Sequence, residues 1–158
     1  MIKKLEGRRA IIIGGGGGIG GAIAQRFYSE GASVAVIDAN EAAADKRAAE
    51  LEAAVGDGQV FCKTIDIGDP GAAEKAVEET AAAFGGLDIS VHSAASRDPT
   101  AVTEHTEIEN WDEALRVNLT SMFLLCKYAI PHLRNAGGGV IINIASQLGS
   151  VVTPGRFF

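Results

Sequence analysis

Cysteine and histidine are scarce in this chain of 158 residues, two of the first and three of the second. Cys62 and Cys126 lie far apart and share no C-x-x-C or Cys/His ligand spacing, so they read as two buried free thiols, with no metal site expected. A long apolar run is also lacking: none reaches the roughly 18 residues of a membrane span. Met1-Ile2-Lys3-Lys4 leads into a strand and not into the apolar segment of a signal peptide, so the expected compartment is the cytoplasm, with no membrane partner. Positive charge is thin, 14 Lys and Arg against 20 Asp and Glu for a net charge of −6, which offers a nucleic-acid backbone no basic field. Proline is rare, four residues against 20 glycines, and the glycines concentrate in one run. What remains is the composition of an ordinary globular protein, long enough for one domain over 1–158 with a core that needs no staples.

Apolar runs of strand length recur at 9–13, 33–37, 59–65, 87–91 and 139–144. Helical spacing lies between them. Gly20 to Glu30 carries Ile23, Phe27 and Tyr28 and stops at Gly31. Asn40 is placed to cap a second helix, and Asp69 followed by Pro70 to open a third that closes at Gly85. Asn110 with Glu113 three residues on suggests a capping box for the longest helix. Strands apolar on both faces and alternating with helices predict an α/β doubly wound fold on a parallel sheet. The longest irregular stretch, Ser96 to Glu109, follows the fourth strand, on the side where such sheets bind ligands.

The first strand ends in Gly14-Gly15-Gly16-Gly17-Gly18-Ile19-Gly20-Gly21 and runs into a helix. Glycine lets backbone approach a phosphate, and the helix's free N–H groups favour negative charge. Five consecutive glycines satisfy several glycine templates at once, so Asp38, ending the second strand where a ribose would need an acceptor, carries more information. A 2′-phosphate beside that carboxylate would meet repulsion of several kcal/mol, since a unit pair at about 4 Å is worth ~4 kcal/mol at an effective dielectric near 20. Neither Ala39 nor the glycines supply a compensating cation, and Lys46 and Arg47 lie further along the helix, so NAD is the expected cofactor over NADP. No Lys-Ser or Lys-Thr follows the glycines, which excludes a P-loop. A methyltransferase using S-adenosylmethionine stays open at this point.

Later residues resemble the classical short-chain dehydrogenase/reductase family in order and spacing. Gly14-x-x-x-Gly18-Ile19-Gly20 matches its cofactor turn, Asp66-Ile67 resembles its adenine-contacting pair, Asn118 in Arg116-Val117-Asn118-Leu119-Thr120 is similar to its active-site asparagine, and Asn143-Ile144-Ala145-Ser146 resembles the strand that ends in its catalytic serine. The resemblance implies a Rossmann fold with strand order 3-2-1-4-5, Ser146 and Asn118 as catalytic-site members, and cofactor contacts from Gly14, Gly17, Gly18, Ile19, Gly20, Asp38, Ala39, Asp66, Ile67, Ser93, Ala94 and Ala95. Two segments depart from the pattern. Ile13 stands where the family has Thr, and His92-Ser93-Ala94-Ala95 replaces Asn-Asn-Ala-Gly, with His92 expected as a hydrogen-bonded, partly buried histidine. Trp111, Leu115, Leu119 and Met122 form an apolar stripe at spacings of three and four, which predicts Asn118 on the buried side of its helix.

No Tyr-x-x-x-Lys is present: Tyr28 and Tyr128 are followed four residues on by Ala32 and His132. By resemblance that pair would follow immediately after Phe158. The strand Val140-Ile141-Ile142, apolar on both faces, together with Val151, Val152, Phe157 and Phe158, also asks for further cover. The chain as given is therefore expected to be a truncated, inactive part of an NAD-dependent dehydrogenase that moves hydride between NAD and a secondary alcohol or ketone. By resemblance, the complete form would be a homo-oligomer, a dimer or tetramer. The alternatives are a non-catalytic NAD-binding module and the methyltransferase.

Overall fold

The computed structural model describes residues 2–96, 103–147 and 150–151. Their order is β1 (Arg9–Ile13), α1 (Gly18–Ser29), β2 (Ser33–Asp38), α2 (Glu41–Glu52), β3 (Val60–Thr64), α3 (Pro70–Phe84), β4 (Ile89–His92), a 3-10 turn (Thr103–His105), α4 (Ile108–Leu115), a π-turn (Arg116–Thr120), α5 (Ser121–Asn135) and β5 (Val140–Asn143). The five strands pair in parallel in the order β3-β2-β1-β4-β5. This is the doubly wound Rossmann arrangement that the alternation and the resemblance predict. Of the terminal residues expected to need cover, Val151 is exposed, while Val152, Phe157 and Phe158 lie outside the described residues.

The sheet separates two apolar layers. On one face Ile11, Ile13, Ala35 and Ile37 pack with Val77 of α3 and Leu125 and Ala129 of α5. On the other, Ile12, Val34, Val36 and Val91 pack with Ala24 and Tyr28 of α1 and Ala44 and Leu51 of α2. Central strands covered on both sides cannot alternate apolar with polar, which is why their sequence runs are continuous. Full burial of Ile11, Ile12, Ile13 and Ile37 contributes about 1.5–3 kcal/mol each. β3 and β5 are the edge strands, and Val140 on β5 is 53% exposed.

Two expected helix starts are in place. Asn40 accepts from the Ala43 N–H at 3.0 Å, and Asp69 from the Ala72 N–H at 2.7 Å with Pro70 in the first helical position. Gly31 and Gly85, at φ +92° and +73°, follow the ends of α1 and α3. The capping box at Asn110 is not formed. α4 begins at Ile108 behind Glu107, with no side-chain cap, and the Glu113 carboxylate is instead held by both arms of the Arg116 guanidinium at 2.7 and 2.9 Å. A charged partner three residues on competes successfully for that side chain.

The apolar stripe also needs correction. Trp111, Leu115 and Leu119 face solvent, at 40%, 38% and 61% exposure. The buried face runs through Ala114, Ser121, Leu124, Leu125, Ala129 and Leu133. The π-turn inserts an extra residue into the helix and rotates everything beyond it, so one uninterrupted 3.6-residue period does not describe the whole segment. Both cysteines are free, as expected, but half-buried rather than buried. Burial, and next the Asp45 carboxylate, pushes the Cys62 thiol up to about 11.

At the amino end of the sheet, the buried Asp88 accepts from the Arg9 backbone N–H at 3.0 Å and from its guanidinium at 2.7 and 3.2 Å. The Arg9 side chain holds this carboxyl below its ordinary range, and the pair fastens the starts of β1 and β4 together.

Candidate cofactor and active site

Apart from Asn118, in the π-turn, and Gly18 to Gly20, in the first turn of α1, the residues singled out for chemistry lie at or just past the carboxyl end of a strand. At the end of β1 the N–H groups of Gly14 and Gly15 both donate to the Ile37 carbonyl, at 2.8 and 3.1 Å, which turns the chain tightly against β2. Gly14 has φ +74°, and a Cβ there would lie 2.7 Å from Ala94 N and 2.8 Å from Ser93 C. Gly20, in the first turn of α1, leaves no room for a Cβ against the Gly14 carbonyl. The turn is thus pressed between α1 and the segment after β4, and only glycine fits both places.

α1 has Gly17 as its cap residue, with no side-chain cap bond. The N–H groups of Gly18, Ile19 and Gly20, in its first turn, have no carbonyl within the helix to take them. A Cβ on Gly18 would meet nothing within 4 Å, and Ile19 is 61% exposed beside it. Open space, free donors and a helix N-terminus are together what a phosphate seat requires.

Asp38 closes one side of that seat. One carboxylate oxygen accepts from the Gly16 N–H and the other from the Asn40 N–H, both at 3.0 Å. An ionised carboxylate has about four acceptor positions, so two remain for ribose hydroxyls. Ala39 beside it is exposed and carries no charge. Arg47 is turned elsewhere, with its guanidinium alongside Gly21 and paired with Glu50 at 2.8 Å.

Asp66, past β3, accepts from the Gly68 N–H at 3.0 Å and from Arg116 at 2.9 Å. The Arg116 guanidinium is the main cause of its lowered pKa. The Ile67 side chain lies in the core, which leaves only its backbone for any ligand contact.

After β4, the Ser93 N–H donates to the Ile13 carbonyl at 2.9 Å, Ala94 backs Gly14, and Ala95 is exposed. Asn118 sits in the π-turn and is half-buried, not on a buried stripe. Its amide grips the loop after β4 at both ends, accepting from Ser96 N at 2.8 Å and donating to Ser96 O at 3.4 Å. Ser146 is exposed three residues beyond β5, on a segment held to β4 by the Ile144 N–H donating to the His92 carbonyl at 2.9 Å. His92 is fully buried and hydrogen-bonded to Ser121 at 2.6 Å, and burial pushes its pKa down.

The glycine turn, Asp38, Asp66, the Ser93 to Ser96 segment, Asn118 and Ser146 therefore share one end of the sheet, the end where doubly wound folds bind nucleotides. Residues missed in the sequence are Arg116, which reaches Asp66 fifty positions away, and Ser121. A polar residue on a buried helix face was the available signal for the second. A groove of about 490 Å³ lined by Ile130, Leu133 and Gly139 lies at the opposite end of β5.

Known proteins agree with this geometry. The profile of the family described as short chain dehydrogenase matches residues 8–157. The 2,5-dichloro-2,5-cyclohexadiene-1,4-diol dehydrogenase of Sphingobium indicum is 40% identical over 156 residues, which are 99% of this chain and 61% of that protein. The chain thus spans about three-fifths of the length of this curated relative. A 7α-hydroxysteroid dehydrogenase solved with NADH and 7-oxo glycochenodeoxycholic acid superposes with TM-score 0.88 and 30% identity, covering 98% of this chain and 59% of that one. A short chain dehydrogenase from Burkholderia cenocepacia, solved with NADP, gives TM-score 0.87 and 32% identity, covering 96% and 60%.

Proposed function

The chain belongs to the short chain dehydrogenase family, and from that premise we propose that it forms the cofactor-binding part of an NAD-dependent oxidoreductase acting on a secondary alcohol or ketone. Membership in an oxidoreductase family removes the methyltransferase reading. It also makes a nicotinamide dinucleotide the ligand class, since the structural neighbours include complexes with NADH and with NADP.

The observation that supports the choice of NAD is the Asp38 carboxylate, fixed by the Gly16 N–H at the rim of the glycine turn, while among the described residues the nearby Arg47 is ion-paired with Glu50. The residues fit the group: the first-turn N–H groups of α1 would hold the pyrophosphate, Asp38 the adenosine ribose, and Asp66 the adenine edge. Bound NAD supplies the hydride acceptor. On the protein side, Ser146 would donate a hydrogen bond to the substrate oxygen, and Asn118 would hold the loop after β4 in place beside it. General acid–base work of the kind such a reaction needs contributes typically 10²–10⁴-fold, and the Tyr-x-x-x-Lys that the resemblance assigns to it does not occur in 1–158. We further infer a homo-oligomeric, cytoplasmic enzyme; among the described residues no helix is long and apolar enough to cross a membrane.

The test is a pair of calorimetric titrations with NADH and NADPH, on the protein and on Asp38→Ala. NADH is expected to bind at least ~10-fold more tightly than NADPH, a gap of about 1.4 kcal/mol, and Asp38→Ala should narrow it. Equal affinities in the unaltered protein would refute the NAD assignment. A non-catalytic NAD-binding module would show the same binding preference, so the titrations test the cofactor and not the catalysis.

A further inference from the structure

α4 and α5 are one helix interrupted by the π-turn. In a regular helix the Ser121 N–H would donate to the Val117 carbonyl. Here it donates to the Arg116 carbonyl, one residue further back, and so does not reach Val117. The Ser121 hydroxyl takes over, donating to Val117 O at 2.5 Å. A hydroxyl has a single proton, so the 2.6 Å bond between Ser121 Oγ and His92 Nε2 must run the other way, with the ring N–H donating to the oxygen. The ring also hydrogen-bonds the His92 carbonyl, which accepts from the Ile144 N–H as well and has lone pairs for both; it is the 2.5 Å contact between Ser121 Oγ and Val117 O, which only the hydroxyl proton can bridge, that assigns the proton to Nε2. His92 and Ser121 are 1% and 0% exposed, and the great majority of buried polar side chains are hydrogen-bonded.

We propose that His92 and Ser121 form a clip that holds the π-turn open and thereby aims Asn118 at Ser96, which makes both of them positioning residues for the active-site end of the sheet. Serine hydroxyls bonded to the carbonyl four residues back bend helices, and here the hydroxyl replaces the backbone bond that the wide turn forfeits. Without it the helix gains by shedding the extra residue, which rotates one side of the turn relative to the other by about 100° and carries Asn118 off the Ser96 backbone. The importance of Asn118 to turnover rests on the dehydrogenase reading; the clip rests on geometry alone.

Two measurements on the protein separate them. Nitrogen NMR of His92 is expected to show the neutral ring protonated at Nε2. The Nδ1–H form would overturn the clip, because the hydroxyl would then donate to the ring and leave Val117 without its bond. In Ser121→Ala and in His92→Phe, the Ser96 amide and Asn118 side-chain signals should shift, and His92→Gln, which keeps a side-chain N–H donor, should restore them. Unmoved signals in both disrupting variants would overturn the proposal. Where the protein turns over an alcohol, the same variants should lower kcat by about 10- to 100-fold, the cost of a misplaced active-site group, with the affinity for NADH unchanged. Residues 1–158 lack the Tyr-x-x-x-Lys that turnover would need, so without turnover the NMR result alone decides the clip.

Discussion

Gly14 and Gly18 are four residues apart in one turn, and replacing each with alanine should have opposite consequences. At Gly14 an L-residue at φ +74° costs about 1–2 kcal/mol. Its methyl group would also stand within 2.7–2.9 Å of the Ser93 and Ala94 backbone, and forcing such a shift adds about 1–3 kcal/mol. Gly14→Ala should therefore lose about 2–5 kcal/mol, or ~4–20 °C in Tm at 2–4 °C per kcal/mol. Gly18 is the first residue of α1, and its methyl would meet nothing within 4 Å. Gly18→Ala should gain about 0.4–1 kcal/mol by restricting the unfolded chain. If the open space is the pyrophosphate seat, that same methyl stands in the ligand's path, and NADH affinity should fall about 10- to 100-fold, a cost of 1.4 kcal/mol per factor of ten. Urea unfolding and NADH titration on both variants check the pair. A Gly18→Ala protein that binds NADH as the unaltered one does would refute the placement of the seat, and a Gly14→Ala protein of unchanged stability would refute the account of the turn.

Asp88→Asn should destabilise by about 3 kcal/mol, because it leaves the Arg9 guanidinium without its buried partner, and urea unfolding at neutral pH measures this. Since Arg9 depresses the Asp88 pKa below its ordinary 3.8, the carboxylate's contribution is fully present above that pH and is lost as pH falls through the lower folded value. Unfolding curves below pH ~4 should then converge for the two proteins. Cys62, at about 11, has roughly one thiolate in a thousand at pH ~8. Its alkylation, followed by mass spectrometry, should rise about tenfold per pH unit, and rapid labelling at neutral pH would contradict the burial that chiefly raises the thiol, with the Asp45 contact second. Arg116→Ala should raise the Asp66 pKa toward its ordinary value, since the guanidinium is the largest cause of the depression, and carboxylate NMR titration reads this directly.

The strands could be read because a sheet covered on both faces forces unbroken apolar runs, and Ile11 to Ile13 or Val34 to Ile37 have no other use. The caps at Asn40 and Asp69 were readable because each bond spans three residues. The backbone geometry of the candidate site was readable where it is local, as in the tight turn at Gly14 and the strand end at Asp38. It failed where distance in sequence hides a partner. Glu113 looked like a capping residue because nothing local reveals that Arg116 claims it. The stripe through Trp111 and Leu119 looked buried because a helical wheel has no place for an extra residue, and Ser121, on the true buried face, does not register as apolar.

The contact between Gly14 and Ala94 joins residues eighty positions apart. The first forty residues carry the glycine turn and Asp38, yet the floor under that turn does not exist until β4 has docked beside β1. Pairings this distant are slow, since loop closure must precede any gain from the contact. The nucleotide is thus a ligand of the assembled sheet and not of its opening βαβ unit, and by mass action it draws the population toward chains that have completed the long-range step.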